Sequence, residues 1–254
     1  LETDIQEFIE LKKLSCPLIS MEDYGDAAIL YADKIINSLY ETSIDISKLY
    51  SGYKYEVIRP DVKAFATLPN YNLEKNIPRT LLICFGGTDP NKFMFRVPAI
   101  LKLLDKKLNQ KLKVKLIYSL GEDNNVDEKL KNYENLIVST FSHSSIIAKE
   151  LYESDILLSS NGRMIYEATL LNNIVISIPQ NSRESTHTFC RDMPGNKQLS
   201  LYSIVTNEEV AINIYETIEA LRLNIHESQK DIRDNIIKEI KLGTSKILEL
   251  IDSL

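Results

Sequence analysis

Two strand-to-helix turns, Phe85-Gly86-Gly87-Thr88-Asp89-Pro90 and Ser160-Asn161-Gly162-Arg163-Met164, carry the residue types that could grip an anion. In each, an apolar run ends in a small polar turn before an amphipathic segment, so backbone N–H groups without helical partners are left at the turn. Only eight glycines occur in 254 residues, and three of them (Gly86, Gly87, Gly162) sit in these turns, where a missing Cβ lets a ligand approach the main chain. Gly-Gly and Asn-Gly also serve as plain chain reversals; it is the recurrence of the pattern that favours a binding role. Thr88 or Asp89 can cap the following helix, and Pro90 suits an early helical position.

Arg163 stands where a helix begins. A cation there is disfavoured by the helix dipole, which implies an anion for it to meet, either a ligand or the partner in an ion pair. Glu167 follows Gly162 by five residues, roughly 8 Å at the ~1.5 Å rise of a helix, about the separation of a diphosphate from its ribose, so its carboxylate could accept from a ribose diol while the turn holds phosphate. A third cluster, Gln180-Asn181-Ser182-Arg183-Glu184-Ser185-Thr186-His187, follows an apolar strand ending at Pro179 and has the density of amide, guanidinium, carboxylate and imidazole groups expected of a ligand-facing loop. His187 is the one catalytic candidate among three histidines; as a lone imidazole it has a structural reading beside the chemical one.

Composition narrows the classes. With 44% apolar residues the chain can bury one large core or two small ones. A net charge of −6 and a pI near 5.3 leave no broad basic field for a nucleic acid, while a small anionic ligand remains compatible. Cys16, Cys84 and Cys190 have neither metal-ligand nor disulfide spacing and read as reduced thiols, which points to the cytoplasm. No metal or other cofactor is indicated, and no apolar stretch reaches the ~18 residues of a membrane span. Leu1 is not an initiator Met, so the chain reads as a piece of a longer protein.

The elements that must position these groups alternate. Helix is expected over 4–14, strands over 17–21, 34–38 and 53–59, and an aperiodic Pro- and Asn-bearing connection over 59–79. Strands then fall at 80–85, 112–119, 136–139, 155–159 and 174–179, and helices at 91–108, 126–133, 144–152 and 162–171. Apolar residues at helical spacing from Val210 to Ile251 imply two further helices packed on the sheet. Continuous apolar strands between helices specify a parallel, doubly wound α/β sheet, with both Gly-bearing turns at carboxyl ends.

The same residues resemble a known family. Ser20-Met21-Glu22-Asp23-Tyr24-Gly25, Ala32 to Tyr40, Ile58-Arg59-Pro60, Phe85 to Pro90, Asn161-Gly162-Arg163 with Tyr166-Glu167, and Gln180-Asn181-Ser182-Arg183-Glu184 with Thr186-His187-Thr188-Phe189 are similar to segments of the nucleotide-sugar hydrolases of pseudaminic acid synthesis (UDP-2,4-diacetamido-2,4,6-trideoxy-β-L-altropyranose hydrolases). The resemblance is to the branch fused behind acylneuraminate-type cytidylyltransferases, and it spans residues 18 to 190. It implies an α/β glycosyltransferase-B architecture: a partial amino-terminal lobe over 1–62, a linker over 63–79, and a complete Rossmann-like lobe with a helical tail over 80–254. It also implies a UDP-linked sugar as ligand, nonulosonic acid biosynthesis as setting, and an upstream cytidylyltransferase as partner.

Carried over, Gly86, Gly87, Thr88, Asn161, Gly162 and Arg163 would line the diphosphate or sugar, Glu167 the ribose, and Gln180, Asn181, Arg183 and Glu184 the sugar side. The family's catalytic histidine belongs to a Gly-His turn that this chain lacks, so it lies upstream or is absent. The readings are therefore a hydrolase releasing UDP, an inverting glycosyltransferase of the same architecture, or a non-catalytic nucleotide-binding module.

Overall fold

A computed structural model describes residues 3–23, 25–39, 46–69, 80–87, 89–118, 129–141, 147–223 and 229–254. Its first unit comprises α1 (Ile5–Lys12), β1 (Ile19–Met21), α2 (Asp26–Tyr31), β2 (Lys34–Asn37) and β3 (Leu49–Ser51), then a 3-10 turn (Tyr53–Tyr55) and α3 (Pro60–Phe65). The three strands form one parallel sheet in the order β1-β2-β3. Phe8 of α1 and Ala27 and Ala28 of α2 pack with Ala32 and Ile35 to form its core.

The second unit contains β4 (Thr80–Cys84), a 3-10 turn (Phe93–Arg96), α4 (Val97–Asp105), β5 (Leu112–Ile117), β6 (Leu136–Phe141), α5 (Ile147–Tyr152), β7 (Ile156–Ser159), α6 (Met164–Leu170) and β8 (Ile174–Ser177). It continues with α7 (Ser182–Ser185), α8 (Phe189–Asp192), β9 (Lys197–Gln198), α9 (Asn207–Arg222) and α10 (Lys230–Asp252). Its six strands are all parallel, in the order β6-β5-β4-β7-β8-β9. The chain thus winds outward from β4 in one direction and from β7 in the other, which makes the gap between them the topological switch point.

Helices on both faces explain why β4, β7 and β8 are apolar except at one buried end residue each, Thr80, Ser159 and Ser177. Leu81, Ile83, Ile156, Leu158 and Ile176 face the layer of α4 and α9, whereas Leu82, Cys84, Leu157 and Val175 face α5, α6, α8 and α10. On the edge strand β6 the demand lapses, and Ile137 is exposed.

Several elements differ from expectation. The strand expected over 53–59 is a 3-10 turn followed by extended chain, the strand on the far side of β2 from β1 is β3 instead, and α2 is a helix where no element is expected. The 59–79 connection includes a helix, because Pro60 takes the first helical position of α3, where its missing N–H costs nothing; residues 70–79 lie outside the described set. The described end of the helix expected over 126–133 is irregular from 131 onward. Cys84 and Cys190 are buried, but Cys16 is exposed.

The tail helices also divide. α9 packs on α4, whereas α10 gives Ile237 and Ile240 to the core beside α6 and then runs back to the first unit. There Lys34 Nζ donates to the Leu250 carbonyl at 2.5 Å and to Ser253 Oγ, and Lys63 Nζ donates to Thr244 Oγ1 at 2.7 Å. Arg233 anchors the other end. Its guanidinium, buried enough to bring its pKa down to about 10, donates to the Pro194 and Asn173 carbonyls at 2.8 and 2.6 Å.

Candidate functional site at the facing strand ends

Because β4, β7 and β8 are neighbours and parallel, the turns that follow them leave the sheet at one edge. Gly86, Gly87, Asn161, Gly162, Arg163, Gln180 and Asn181 are brought together there; Thr88 lies outside the described residues. Gly86 has φ +89°, a conformation that excludes most side chains, and a Cβ added at Gly86 or Gly87 would meet nothing within 4 Å. The second turn is as open, since a Cβ on Gly162 would meet only Ser160 Oγ, at 3.7 Å. Packing therefore does not explain these glycines.

The loop after β8 is built against this edge. Asn91 Nδ2 donates to the Gln180 carbonyl at 2.6 Å, tying the β4 turn to the β8 turn. Glu184 Oε2 accepts the main-chain N–H of Asn161 at 3.0 Å and of Gln180 at 2.9 Å, so one carboxylate oxygen locks two turns. Asn181 caps α7 through Oδ1, which accepts the Glu184 N–H at 2.9 Å. The Asn161 side chain points inward and donates to the carbonyls of Glu184 and His187 at 2.8 and 2.9 Å, and Gln180 Nε2 turns back to the Ile178 carbonyl at 3.0 Å.

His187 lies behind this layer, 3% exposed, with Nδ1 2.7 Å from the Asn161 carbonyl. A carbonyl only accepts, so Nδ1 carries the hydrogen. Burial pushes the imidazole below its ordinary pKa, against the raising influence of that hydrogen bond and of Glu184.

Across the edge stand the carboxyl ends of the smaller sheet. Arg163 Nη1 is 2.6 Å from Glu56 Oε1 and its Nη2 is 3.0 Å from Glu22 Oε1, so what meets this cation is a pair of carboxyl groups from the other unit. Arg183 Nη2 donates to the Glu22 carbonyl at 3.0 Å, and the Tyr166 hydroxyl to that of Ser38 at 3.1 Å. Glu22 takes the left-handed conformation at φ +57°, uncommon for a residue with a Cβ and often found at functional sites. Its Oε1 also accepts the Ser38 N–H at 2.9 Å. Burial raises the pKa of Glu56, opposed by Arg163 and Ser38. For Arg163 burial acts downward, but Glu56 and Glu22 outweigh it and the guanidinium is held more firmly protonated.

Glu167 lies one turn along α6 and faces Arg59, whose Nε and Nη2 reach its two oxygens at 2.7 and 3.1 Å. Burial raises its pKa, with Arg59 opposing. Glu22, Ser38, Glu56 and Arg59 were not singled out as candidates from residue type. The available signal was Glu56 itself, a carboxylate inside the run Tyr53-Lys54-Tyr55-Glu56-Val57-Ile58.

Among the described residues no cluster of His, Cys, Asp and Glu could hold a metal, and no helix is long and apolar enough to cross a membrane.

Two parallel α/β units with facing carboxyl edges, joined by a last helix that returns to the first unit, form a glycosyltransferase-B fold. Acinetobacter baumannii MurG matches 97% of this chain and 70% of its own at a TM-score of 0.66 and 14% identity. Arabidopsis thaliana UGT89C1, complexed with UDP, matches 95% of this chain and 68% of its own at 0.58 and 12%. At such identities the likeness is one of fold. An uncharacterized Methanocaldococcus jannaschii protein is 23% identical over 184 residues, 67% of this chain, which spans only 37% of that relative's length. No family model matches the chain.

Proposed function

We propose that this chain binds a nucleotide sugar, UDP-linked, in the crevice beside the switch point, and serves as the nucleotide-sugar half of a glycosyltransferase-B enzyme. The observation that carries the reading is the pairing of two open glycine turns, 86–87 and 161–163, on either side of the β4/β7 gap, with Arg163 at its border. Solved proteins of this fold include UGT89C1 with UDP bound, which supports the choice of base. In glycosyl transfer the departing nucleoside diphosphate gains negative charge. Fixed N–H groups of Gly86, Gly87 and Gly162 and the outward N–H groups of Arg163 supply compensation that needs no reorganisation at that moment. Glu167 would accept the ribose hydroxyls beside its contact to Arg59, while Gln180, Asn181, Arg183 and Glu184 shape the sugar side.

A hydrolase that hands the sugar to water, in nonulosonic acid biosynthesis, is the second reading. It is favoured because segments that carry the family resemblance meet in space: Glu22 with Arg163 and Arg183, and Arg59 with Glu167. The experiment is a calorimetric titration with UDP, followed by incubation of the chain with a labelled UDP-sugar in the presence and absence of acceptor sugars. Transfer only with acceptor supports the first reading, release of UDP without acceptor supports the second, and binding without turnover leaves a nucleotide-binding module. Absence of UDP binding rejects all three.

A further inference from the structure

Ser38 Oγ lies 2.5 Å from Glu22 Oε1 and within hydrogen-bonding distance of Glu56 Oε2. A serine hydroxyl has one proton to donate, so it cannot donate to both carboxylate oxygens. Glu22 Oε1 accepts from the Ser38 N–H and from Arg163 Nη2, so it carries no proton of its own and its contact with Ser38 Oγ takes the hydroxyl proton. The remaining contact needs a proton on Glu56 Oε2, donating to Ser38 Oγ. The other oxygen, Oε1, still accepts from Arg163 Nη1 at 2.6 Å. Glu56 is 1% exposed, and its main chain is pressed against Gly243 of α10, so water cannot replace the missing donor.

We propose that Glu56 retains a proton at neutral pH and is a positioning residue: with Ser38 and Glu22 it fixes the Arg163 guanidinium from the opposite lobe without adding a second negative charge, leaving the exposed side of Arg163 for an anionic ligand. With the proton in place the trio of Glu22, Glu56 and Arg163 is neutral; without it the trio carries −1 and repels a diphosphate. Arg163 is 44% exposed at the side chain, so it has room for that ligand. Other charged or titratable groups around the trio are Tyr166 on α6 and Arg183 and His187 from the loop after β8, and Tyr55, which precedes Glu56 in the chain, is within the influence of Lys246 of α10. The burial that raises the Glu56 pKa agrees with the geometry. Ligand binding would then draw the proton more tightly, so affinity and protonation are linked.

The ligand clause rests on the proposed function; the proton itself does not, and the test separates them. In the first arm, infrared spectra of the full chain at neutral pH are compared with those of Glu56→Gln. A protonated-carboxyl C=O band that is present in the wild type and lost in the variant is expected; its absence from the wild type overturns the proposal. If Glu56→Gln fails to fold, Ser38→Ala substitutes for it, since removing the hydrogen-bond partner should shift the same band. A wild-type band left unmoved by both variants also overturns the proposal. In the second arm, UDP is titrated calorimetrically in buffers of different ionisation enthalpy as the pH is raised. Affinity should fall, by up to about tenfold per pH unit at full linkage, with proton uptake on binding, and Glu56→Gln should flatten the profile. Binding of UDP with no pH dependence and no proton uptake refutes the coupling. No binding of UDP at any pH refutes the proposed function and leaves the infrared result to decide the proton.

Discussion

Arg59 grips Glu167 with two parallel hydrogen bonds, Nε to Oε1 at 2.7 Å and Nη2 to Oε2 at 3.1 Å, joining the chain just before α3 to the middle of α6. The Glu167 side chain is 12% exposed and that of Arg59 is 45% exposed. The pair is therefore part buried and part screened, and losing the guanidinium would leave a carboxylate largely out of water.

Arg59→Ala should lower stability by about 1–2 kcal/mol, less than the loss for a fully buried pair because Arg59 is nearly half in solvent. In the double variant with Glu167→Ala the two losses should be less than additive. Urea unfolding of the four proteins checks this; strict additivity would show that the pair contributes nothing. The same variants test the ribose role. If Glu167 binds the nucleotide, Glu167→Ala weakens UDP by about 1–3 kcal/mol while Arg59→Ala does not.

Gly243 is required by contact. A Cβ there would lie 2.2 Å from the Glu56 carbonyl oxygen and 3.0 Å from its nitrogen, and neither backbone atom can move without shifting the turn over 53–55. Gly243→Ala should cost about 2–3 kcal/mol despite the helix propensity of alanine, because overpacking against main chain exceeds that gain. A urea midpoint equal to or above that of the wild type would contradict this account of how α10 seats on the first unit.

His187 sets a pH dependence. Its folded pKa is lowered below the ordinary 6.5 by burial, so the unfolded chain takes up the proton first. Its contribution is fully present above 6.5 and is lost as pH falls from there toward the folded value. Glu56 and Glu167 act oppositely: their folded values are raised above 4.5, so they favour the folded state at low pH and lose that contribution as pH rises. Replacing His187 with Gln should therefore reduce the loss of stability on going from about pH 7 to about pH 5.5. Identical wild-type and variant slopes in urea unfolding across that interval would show that His187 is not buried in its neutral form.

Local pattern was sufficient for much of the fold. The apolar runs over 81–84, 156–158 and 174–176 are central strands because helices cover both of their faces, and the carboxyl-edge position of Gly86 and Gly162 follows directly. Short elements were less legible. Leu49-Tyr50-Ser51 has too few residues to show a period, and Tyr53 to Arg59 looks like a strand because its aromatic and β-branched residues pack as extended chain and a 3-10 turn beneath α10. At the site, composition marked Arg163 as a cation in need of an anion. What it could not give was the partner, since Glu22 and Glu56 are 141 and 107 positions away and only the facing of the two sheets brings them near. Likewise the polar density over 180–187 reads as ligand-facing, yet much of it is spent on internal bonds such as those of Gln180, Asn181 and Glu184.

Location of a bound nucleotide is the most direct test of the account, and the scarcity of glycine makes it readable, because only eight glycine amide signals occur in the chain. Titrating UDP into isotopically labelled protein and following glycine amide resonances should shift Gly86, Gly87 and Gly162 while leaving Gly195 and Gly243 in place. UDP that binds without moving the first three, or that moves only Gly195 or Gly243, would contradict a nucleotide-sugar site at the β4/β7 switch point.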